Sequence, residues 1–210
     1  MEKSKKKLSS TNELLRKGIH LGYSLSGFLY LFFLDRTVML YLLGAGSAAM
    51  IIIDIFRTKM KPVKSLYVDA FGKILREHEL NNKKIVLTGG TYLVIATFIC
   101  VLIFPKEIAV KSIFIIIFCD SAAAIIGKTF GTLKIWGKTI EGSFAFIGIG
   151  LLVIFLTPNY TLSTNEYYVS AASLILTSAA EILPVKIDDN IFIPLFYGGI
   201  YMLLLKIFII

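Results

Sequence analysis

Two cysteines and two histidines are all that the 210 residues contain, and neither pair sets up chemistry. Cys100 and Cys119 both lie inside apolar runs, which predicts free, buried thiols and no disulfide framework. Without a His/Cys cluster a zinc-type site is excluded. No Ser-His-Asp or Cys-His spacing assembles a nucleophilic set. The chain also lacks internal repeats, low-complexity segments and any stretch that reads as a soluble domain. No small-residue cleavage chemistry follows the basic N-terminus, so a cleavable leader is not expected. Acidic residues are scarce, 14 against 22 basic, for a formal charge of +8. Such a balance suits nucleic acid in many proteins. Here the lysines lie between apolar runs, so they read as orientation and anionic-ligand charges, with no nucleic-acid partner.

What is abundant is hydrocarbon. The chain is 56% hydrophobic with a mean hydropathy of +0.78, more than a soluble core of this size buries. The expected fold is an all-α, polytopic integral membrane protein forming one domain over 1–210, with residues 1–10 a basic tail. Seven transmembrane helices are predicted, near 18–34, 37–56, 85–104, 108–127, 142–157, 168–183 and 191–210. Ser10 and Glu13 fit a capping box that starts a helix near Thr11. Between the second and third spans, Leu66, Tyr67, Ala70, Phe71, Ile74 and Leu75 form one stripe opposite Lys64, Asp69, Lys73, Arg76 and Glu77. That pattern predicts a cytoplasmic amphipathic helix on the membrane surface, with His78 solvated at its polar end.

Orientation follows from charge. Eighteen of the 22 basic residues fall on one side, leaving Arg36, Lys106, Lys111 and Lys206 for the other side or the spans near it. The basic side is cytoplasmic, which puts the N-terminus inside and the C-terminus outside. Nearly all the unusual polar residues then meet at that one boundary. The outer loop Thr157–Tyr167, by contrast, reads as an ordinary polar turn.

The organising stretch runs from Cys119 to Ser143. Asp120 interrupts the apolar run Ile108–Ile126, and an ionisable group in such a run is expensive unless it faces a polar interior or a site. Asp120, Ala123, Gly127 and Gly131 share one helix face, where small residues let another helix or a ligand approach. Lys128, Lys134 and Lys138 follow, then Glu141. Gly127-Lys128-Thr129 and Gly137-Lys138-Thr139 echo the end of a P-loop. Both lack its leading glycine and preceding strand, so a Walker site is rejected. A glycine- and lysine-bearing loop at a helix end still suits phosphates. Trp136 reads as an interface anchor, or less readily as a base-stacking platform.

Three further sets flank this stretch. Glu13, Arg16, Lys17 and His20 share a helix face fit for an oligophosphate or lipid phosphate, or else serve as positive-inside anchors and a packed histidine. Asp188, Asp189 and Asn190, after Lys186, form a hard-oxygen cluster that suits magnesium, or else a turn capping the last helix. Glu181 lies one helical level deeper, where a turn does not explain it. This inventory of carboxylates, amide, lysine and glycine suits metal-assisted phosphoryl or nucleotidyl transfer.

Together these residues resemble the CTP-dependent lipid-alcohol kinases: dolichol kinase, phytol kinase and CTP-dependent diacylglycerol kinase. That family is similar in turn to the phosphatidate cytidylyltransferases. The matching pieces are Arg16-Lys17-Gly-Ile-His20, Thr88-Gly89-Gly90, Asp120 through Gly127 with Gly131, Lys138-Thr139-Ile-Glu141-Gly142-Ser143, and Glu181 followed by Asp188-Asp189-Asn190 and Pro194. The resemblance implies transfer of the γ-phosphoryl group of CTP to a lipid hydroxyl at the inner leaflet, with Mg2+ or another divalent cation. It implies catalytic Asp120, Lys138 and Glu141, and metal ligation by Asp120, Glu181, Asp188 and Asp189. Arg16, Lys17, His20, Gly89, Gly90, Gly127, Lys128, Gly131, Thr139, Gly142, Ser143 and Asn190 would hold the nucleotide. The implied partners are a lipid alcohol, a nucleoside triphosphate and membrane lipids, with a homodimer allowed for. The short chain is similar to compact prokaryotic members, which implies a prokaryotic plasma membrane. The cytidylyltransferase signature, with paired glycines and Asp-Arg near the C-terminus, is absent, so a CDP-lipid synthase ranks second. A transporter or lipid-binding protein without chemistry ranks third, because polar groups at one boundary and the absence of repeated halves argue against it.

Overall fold

A computed structural model of the chain describes residues 10–80, 85–161 and 163–209, without the side chains of Ser10, Thr11, Glu13, Glu77 and His78. The expected basic tail, the Ser10–Glu13 capping box, Lys83, Lys84 and the solvated His78 therefore lie outside the described residues.

Helices dominate, as the hydropathy pattern requires. In order they are α1 (Ser10–Gly22), α2 (Ser24–Phe32), α3 (Arg36–Lys59), α4 (Lys61–Phe71), α5 (Gly89–Ile103), α6 (Lys106–Phe114), α7 (Asp120–Thr129), α8 (Ile140–Leu156), α9 (Asn165–Ile182) and α10 (Asp189–Phe208). The all-α expectation holds, with one short hairpin between α7 and α8. Strands β1 (Lys134–Ile135) and β2 (Lys138–Thr139) pair antiparallel across Trp136-Gly137. Trp136 at φ 46 and Gly137 at φ 91 supply the two positive angles of a type I′ connection.

The middle of the molecule is a single rod. α6, a π turn over Ile115–Cys119 and α7 run on as one helix, Lys106–Thr129. Ile108, Ile113, Ile115, Ile117 and Cys119 have no exposed surface. α2, α5, α8 and α10 pack around the rod, α9 packs on α8 and α10, and α3 packs on α5. A π turn takes an extra residue and rotates the helical turns beyond it. Here it ends immediately before Asp120. Cys100 and Cys119 are free and buried, as expected.

The span count changes. Among the described residues, three helices are long and apolar enough to cross a membrane: Arg36–Lys59, Lys106–Thr129 and Asp189–Phe208. Gly89–Ile103 and Ile140–Leu156 are apolar but shorter. At 1.5 Å per residue they reach about 23–26 Å, short of a hydrocarbon core of about 30 Å. α9 has 18 residues but carries Ser170, Ser173, Thr177 and Ser178, all buried. The expected first span is not one helix either, because α1 and α2 part at Tyr23. There the Ser26 hydroxyl donates to the Tyr23 carbonyl at 2.8 Å, a local bond that competes with the helical ladder. Hydropathy counts apolar residues and is blind to such interruptions.

α4 contains no buried residue, in keeping with a surface position. It stops at Phe71, so Ile74 and Leu75 leave the expected stripe. Leu75 turns inward and is buried.

Candidate active site

Five elements converge at one end of the rod. The π turn delivers Asp120 at the start of α7, and α1 lays Lys17 across it. Lys17 Nζ donates to Asp120 Oδ2 and lies 3.3 Å from the Asp120 carbonyl oxygen. β2 contributes Lys138, whose Nζ lies 2.7 Å from Glu181 Oε1 near the end of α9 and 2.9 Å from Asp189 Oδ2 at the start of α10. Asp120, Glu181 and Asp189 each offer a carboxylate oxygen, all within 4.8 Å of one another. Burial works against the Lys138 ammonium, but Glu181 and Asp189 outweigh it and raise its pKa above the ordinary lysine value. His20 is buried beside Asp120 and Asn190, and neither ring nitrogen makes a hydrogen bond of good geometry. Arg16 lies close enough to act electrostatically on His20.

Three of the expected nucleotide-binding glycines lie where α7 meets α8. A Cβ on Gly127 would stand 2.4 Å from Thr139 Oγ1, and one on Gly142 would stand 2.9 Å from the Ala123 carbonyl oxygen. Gly131 also lies against Thr139. Absence of side chains lets α7 and α8 touch backbone to backbone, with Thr139 wedged between them. Thr139 Oγ1 also accepts from Gly142 N at 3.2 Å, capping α8. Of the two approaches open to the small-residue face, another helix takes it. Ser143 Oγ bonds the Thr139 carbonyl at 3.3 Å. Glu141 turns to the loop before β1, accepting from Thr132 N at 2.8 Å and from the Thr132 hydroxyl. Lys128 is exposed on the last turn of α7. Neither Glu141 nor Lys128 joins the carboxylate cluster.

Asp188 also stands apart. It caps α10 through Asn190 N at 3.0 Å and pairs with Arg76 Nη1 at 2.8 Å. The capping reading of this turn therefore applies to Asp188, while Asp189 faces Lys138. Asn190 Nδ2 lies near Gly89, 3.1 Å from where a Cβ would be. Gly89 N donates to Glu79 Oε1 at 2.8 Å. Glu79 Oε2 accepts from Arg76 N at 2.7 Å.

A buried support for this end was not picked out in the sequence. Asp54 Oδ1 accepts from Arg57 Nε at 2.7 Å. Its Oδ2 accepts from Thr88 N at 2.8 Å and Thr91 Oγ1 at 2.6 Å. Arg57 also bonds the carbonyls of Glu79 at 2.6 Å and Val86 at 2.8 Å. The i, i+3 spacing of Asp54 and Arg57 at a helix end was the available signal. This network fixes the backbone that leads into Gly89 and Gly90.

The 157–167 turn, expected to be ordinary, is not. Glu166 and Lys111 have no exposed surface and lie 3.9 Å apart. Tyr201 OH donates to Glu166, and Lys111 Nζ lies 3.2 Å from that hydroxyl and 2.5 Å from Asn159 Oδ1. Glu166 also accepts from Tyr160 N at 2.6 Å and Thr161 N at 2.5 Å. Lys111 interrupts the same apolar run as Asp120, so the rule that singled out one applied equally to the other.

Known proteins give a consistent picture. No protein-family profile matches the chain, and no solved structure matches it. It is 29% identical over 187 residues to an uncharacterized protein of Rickettsia prowazekii, covering 88% of this chain and 91% of that one. It is 29% identical over 106 residues to CTP-dependent diacylglycerol kinase 1 of Schizosaccharomyces pombe, covering 49% and 47%. Against the same-named kinase of Saccharomyces cerevisiae it is 24% identical over 163 residues, covering 74% and 54%. The chain spans about half the length of these two kinases.

Proposed function

The chain is a member of the CTP-dependent lipid kinase family, and from that premise we propose that it phosphorylates the hydroxyl of a membrane lipid alcohol with CTP. The γ-phosphorus gains a bond to the lipid oxygen and loses its bond to the β-phosphate, leaving CDP and a lipid phosphate. The observation that carries this reading is the convergence of Asp120, Glu181 and Asp189 with Lys17 and Lys138 at one end of the rod.

The donor set fits magnesium. Three carboxylates supply hard oxygens, and a few protein ligands shared with phosphate and water is the usual arrangement for that ion. Asp120, Glu181 and Asp189 would hold it, and when bound it supplies neutralisation of phosphate charge. The residues of the chain do the remaining work. Lys138 and Lys17 give ammonium charge for the phosphates, with Arg16 beside them. Asp54, Arg57 and Glu79 hold the Thr88–Gly90 backbone, and Glu141 holds the loop that carries β1. All these groups come from a single chain.

The acceptor is a lipid because the site opens at the end of apolar helices, and diacylglycerol is the preferred acceptor on the strength of the named relatives. Polyprenol, dolichol and phytol are the other lipid alcohols this chemistry serves. The active leaflet is cytoplasmic, a reading supported by the eighteen basic residues on that side. α5 and α8 would lie within the bilayer alongside the three longer helices, making the whole chain one membrane-embedded phosphotransferase unit.

The test uses purified protein in detergent with magnesium and mixed lipid alcohols. Label from γ-labelled CTP is expected in the lipid phase. Label arriving from α-labelled CTP with release of pyrophosphate would instead establish a cytidylyltransferase. Transfer of neither label to any lipid would point to a protein without chemistry.

A further inference from the structure

The carboxylates of the site are held by the protein's own cations. Lys17 Nζ sits on Asp120 Oδ2, and Lys138 Nζ bridges Glu181 and Asp189 at 2.7 and 2.9 Å. The ammonium groups engage one oxygen of each carboxylate, Asp120 Oδ2, Glu181 Oε1 and Asp189 Oδ2. A six-coordinate hard cation with bonds of about 2.0–2.1 Å, drawn onto the same three carboxylates, meets the ammonium charge at close range. It also needs its oxygens drawn in from the observed spread of 4.8 Å. Cation ligation and the present ion pairs therefore compete for the charge of the same three carboxylates.

A second observation points to another arrangement of this pocket. His20 is 7% exposed, and both its ring nitrogens are buried without a hydrogen bond of good geometry. An unsatisfied buried polar group is costly. The pocket thus contains a donor or acceptor that these ion pairs leave unused. The two lysines also differ in freedom. The Lys17 side chain is 3% exposed, whereas that of Lys138 is 35% exposed. Lys138 has room to swing, while Lys17 loses its partner only if another anion replaces it.

Resting on the kinase reading above, we propose that Lys17 and Lys138 are exchangeable counterions: they neutralise Asp120, Glu181 and Asp189 until a nucleoside triphosphate takes their ammonium groups and frees the carboxylates for the divalent cation. The exchange needs the triphosphate because stripping a buried ammonium of its partner is strongly unfavourable. A divalent cation alone has to bear that cost, and the phosphates remove it. Cation and nucleotide therefore bind with positive coupling, each raising the affinity for the other by the same factor.

The consequence runs against the usual effect of deleting a site residue. Mn2+ binding to the full chain in detergent, followed by electron paramagnetic resonance without nucleotide, serves as the probe. Lys138→Met is expected to tighten Mn2+ about tenfold, because the competing ammonium is gone. The same variant should lose most of the gain in Mn2+ affinity that CTP gives the parent. Equal or weaker Mn2+ binding by Lys138→Met overturns the exchange. A measurement on the parent guards against misfolding of the variant. Labelling of Lys138 by an amine reagent, read peptide by peptide, should rise as Mn2+ is added and fall again when CTP is added after it. Labelling indifferent to both overturns the proposal as well. Phosphoryl transfer without these shifts would remove the exchange and leave the kinase. The shifts without transfer would remove the kinase and leave the exchange.

Discussion

The two ends of the central rod carry buried charge in opposite ways. Toward the Lys106 end, one lysine and one carboxylate share a tyrosine hydroxyl, and the carboxylate accepts from Tyr160 and Thr161 besides. Each charge there has a counter-charge and its hydrogen bonds are made. At the other end, three carboxylates meet two ammonium groups in direct contact, and a buried histidine beside them makes no hydrogen bond of good geometry. The first arrangement is complete in itself and ties α6, α9 and α10 together. The second has more carboxylates than ammonium groups, and the proposed chemistry uses that excess. Burial alone thus does not distinguish a structural ion pair from a site. The balance of charge and the unmade hydrogen bonds do.

The contrast can be broken by mutation, and the largest effect belongs to Asp120. Asp120→Asn keeps the shape but removes a charge that the proposed chemistry uses. Turnover should fall by about a thousandfold, the scale on which charge-stabilising groups act. Stability should fall as well, by about 3–5 kcal/mol, because the buried Lys17 loses its counter-charge, so turnover is compared per folded molecule. Melting temperature and transfer from γ-labelled CTP are to be measured on the same preparations. Activity that merely tracks the folded fraction would make Asp120 structural.

At the opposite end the expectation inverts. Glu166→Gln strips Lys111 of its counter-charge in a place with no exposed surface, and breaking such a pair costs about 3–5 kcal/mol. The melting temperature should drop sharply, while the protein that remains folded should turn over within a few-fold of the parent. A large loss of turnover at unchanged melting temperature would move Glu166 into the functional machinery and erase the contrast.

The smallest effect concerns the hairpin that carries Lys138. Trp136 holds φ 46, an angle that a bulky residue adopts at a cost of about 1–3 kcal/mol, and its side chain is largely exposed. Trp136→Asn would create the Asn-Gly pair that type I′ turns prefer. It should stabilise the chain by about 1 kcal/mol in detergent, read as a higher melting temperature. A fall instead would mean that the indole contributes more than its backbone costs.

Some of this was written in local sequence. Thr88, Thr139 and Asp188 precede apolar runs, and each becomes the N-cap of a helix, because capping needs only neighbours two or three residues away. Helical periodicity was legible for the same reason, as was the oddity of Asp120 and Glu181 within apolar runs. Whether those runs cross a membrane was less legible. Length and breaks decide it, and hydropathy reads the 18–34 run as continuous where α1 and α2 part at Tyr23.

The sequence by itself determined that this chain is helical, apolar and equipped with carboxylates and lysines at its helix ends. It did not determine which charge meets which. Lys17 finds Asp120 across 103 residues, and Lys138 finds Glu181 and Asp189 across 43 and 51. Lys111 reaches Tyr201 across 90. Those partnerships depend on how α1, α9 and α10 pack on the rod and on the rotation that the π turn imposes. The energy of a buried charge is set by the few ångströms around it. Only the packed structure decides what lies within that distance, and so which ends of the helices hold the fold and which are left for chemistry.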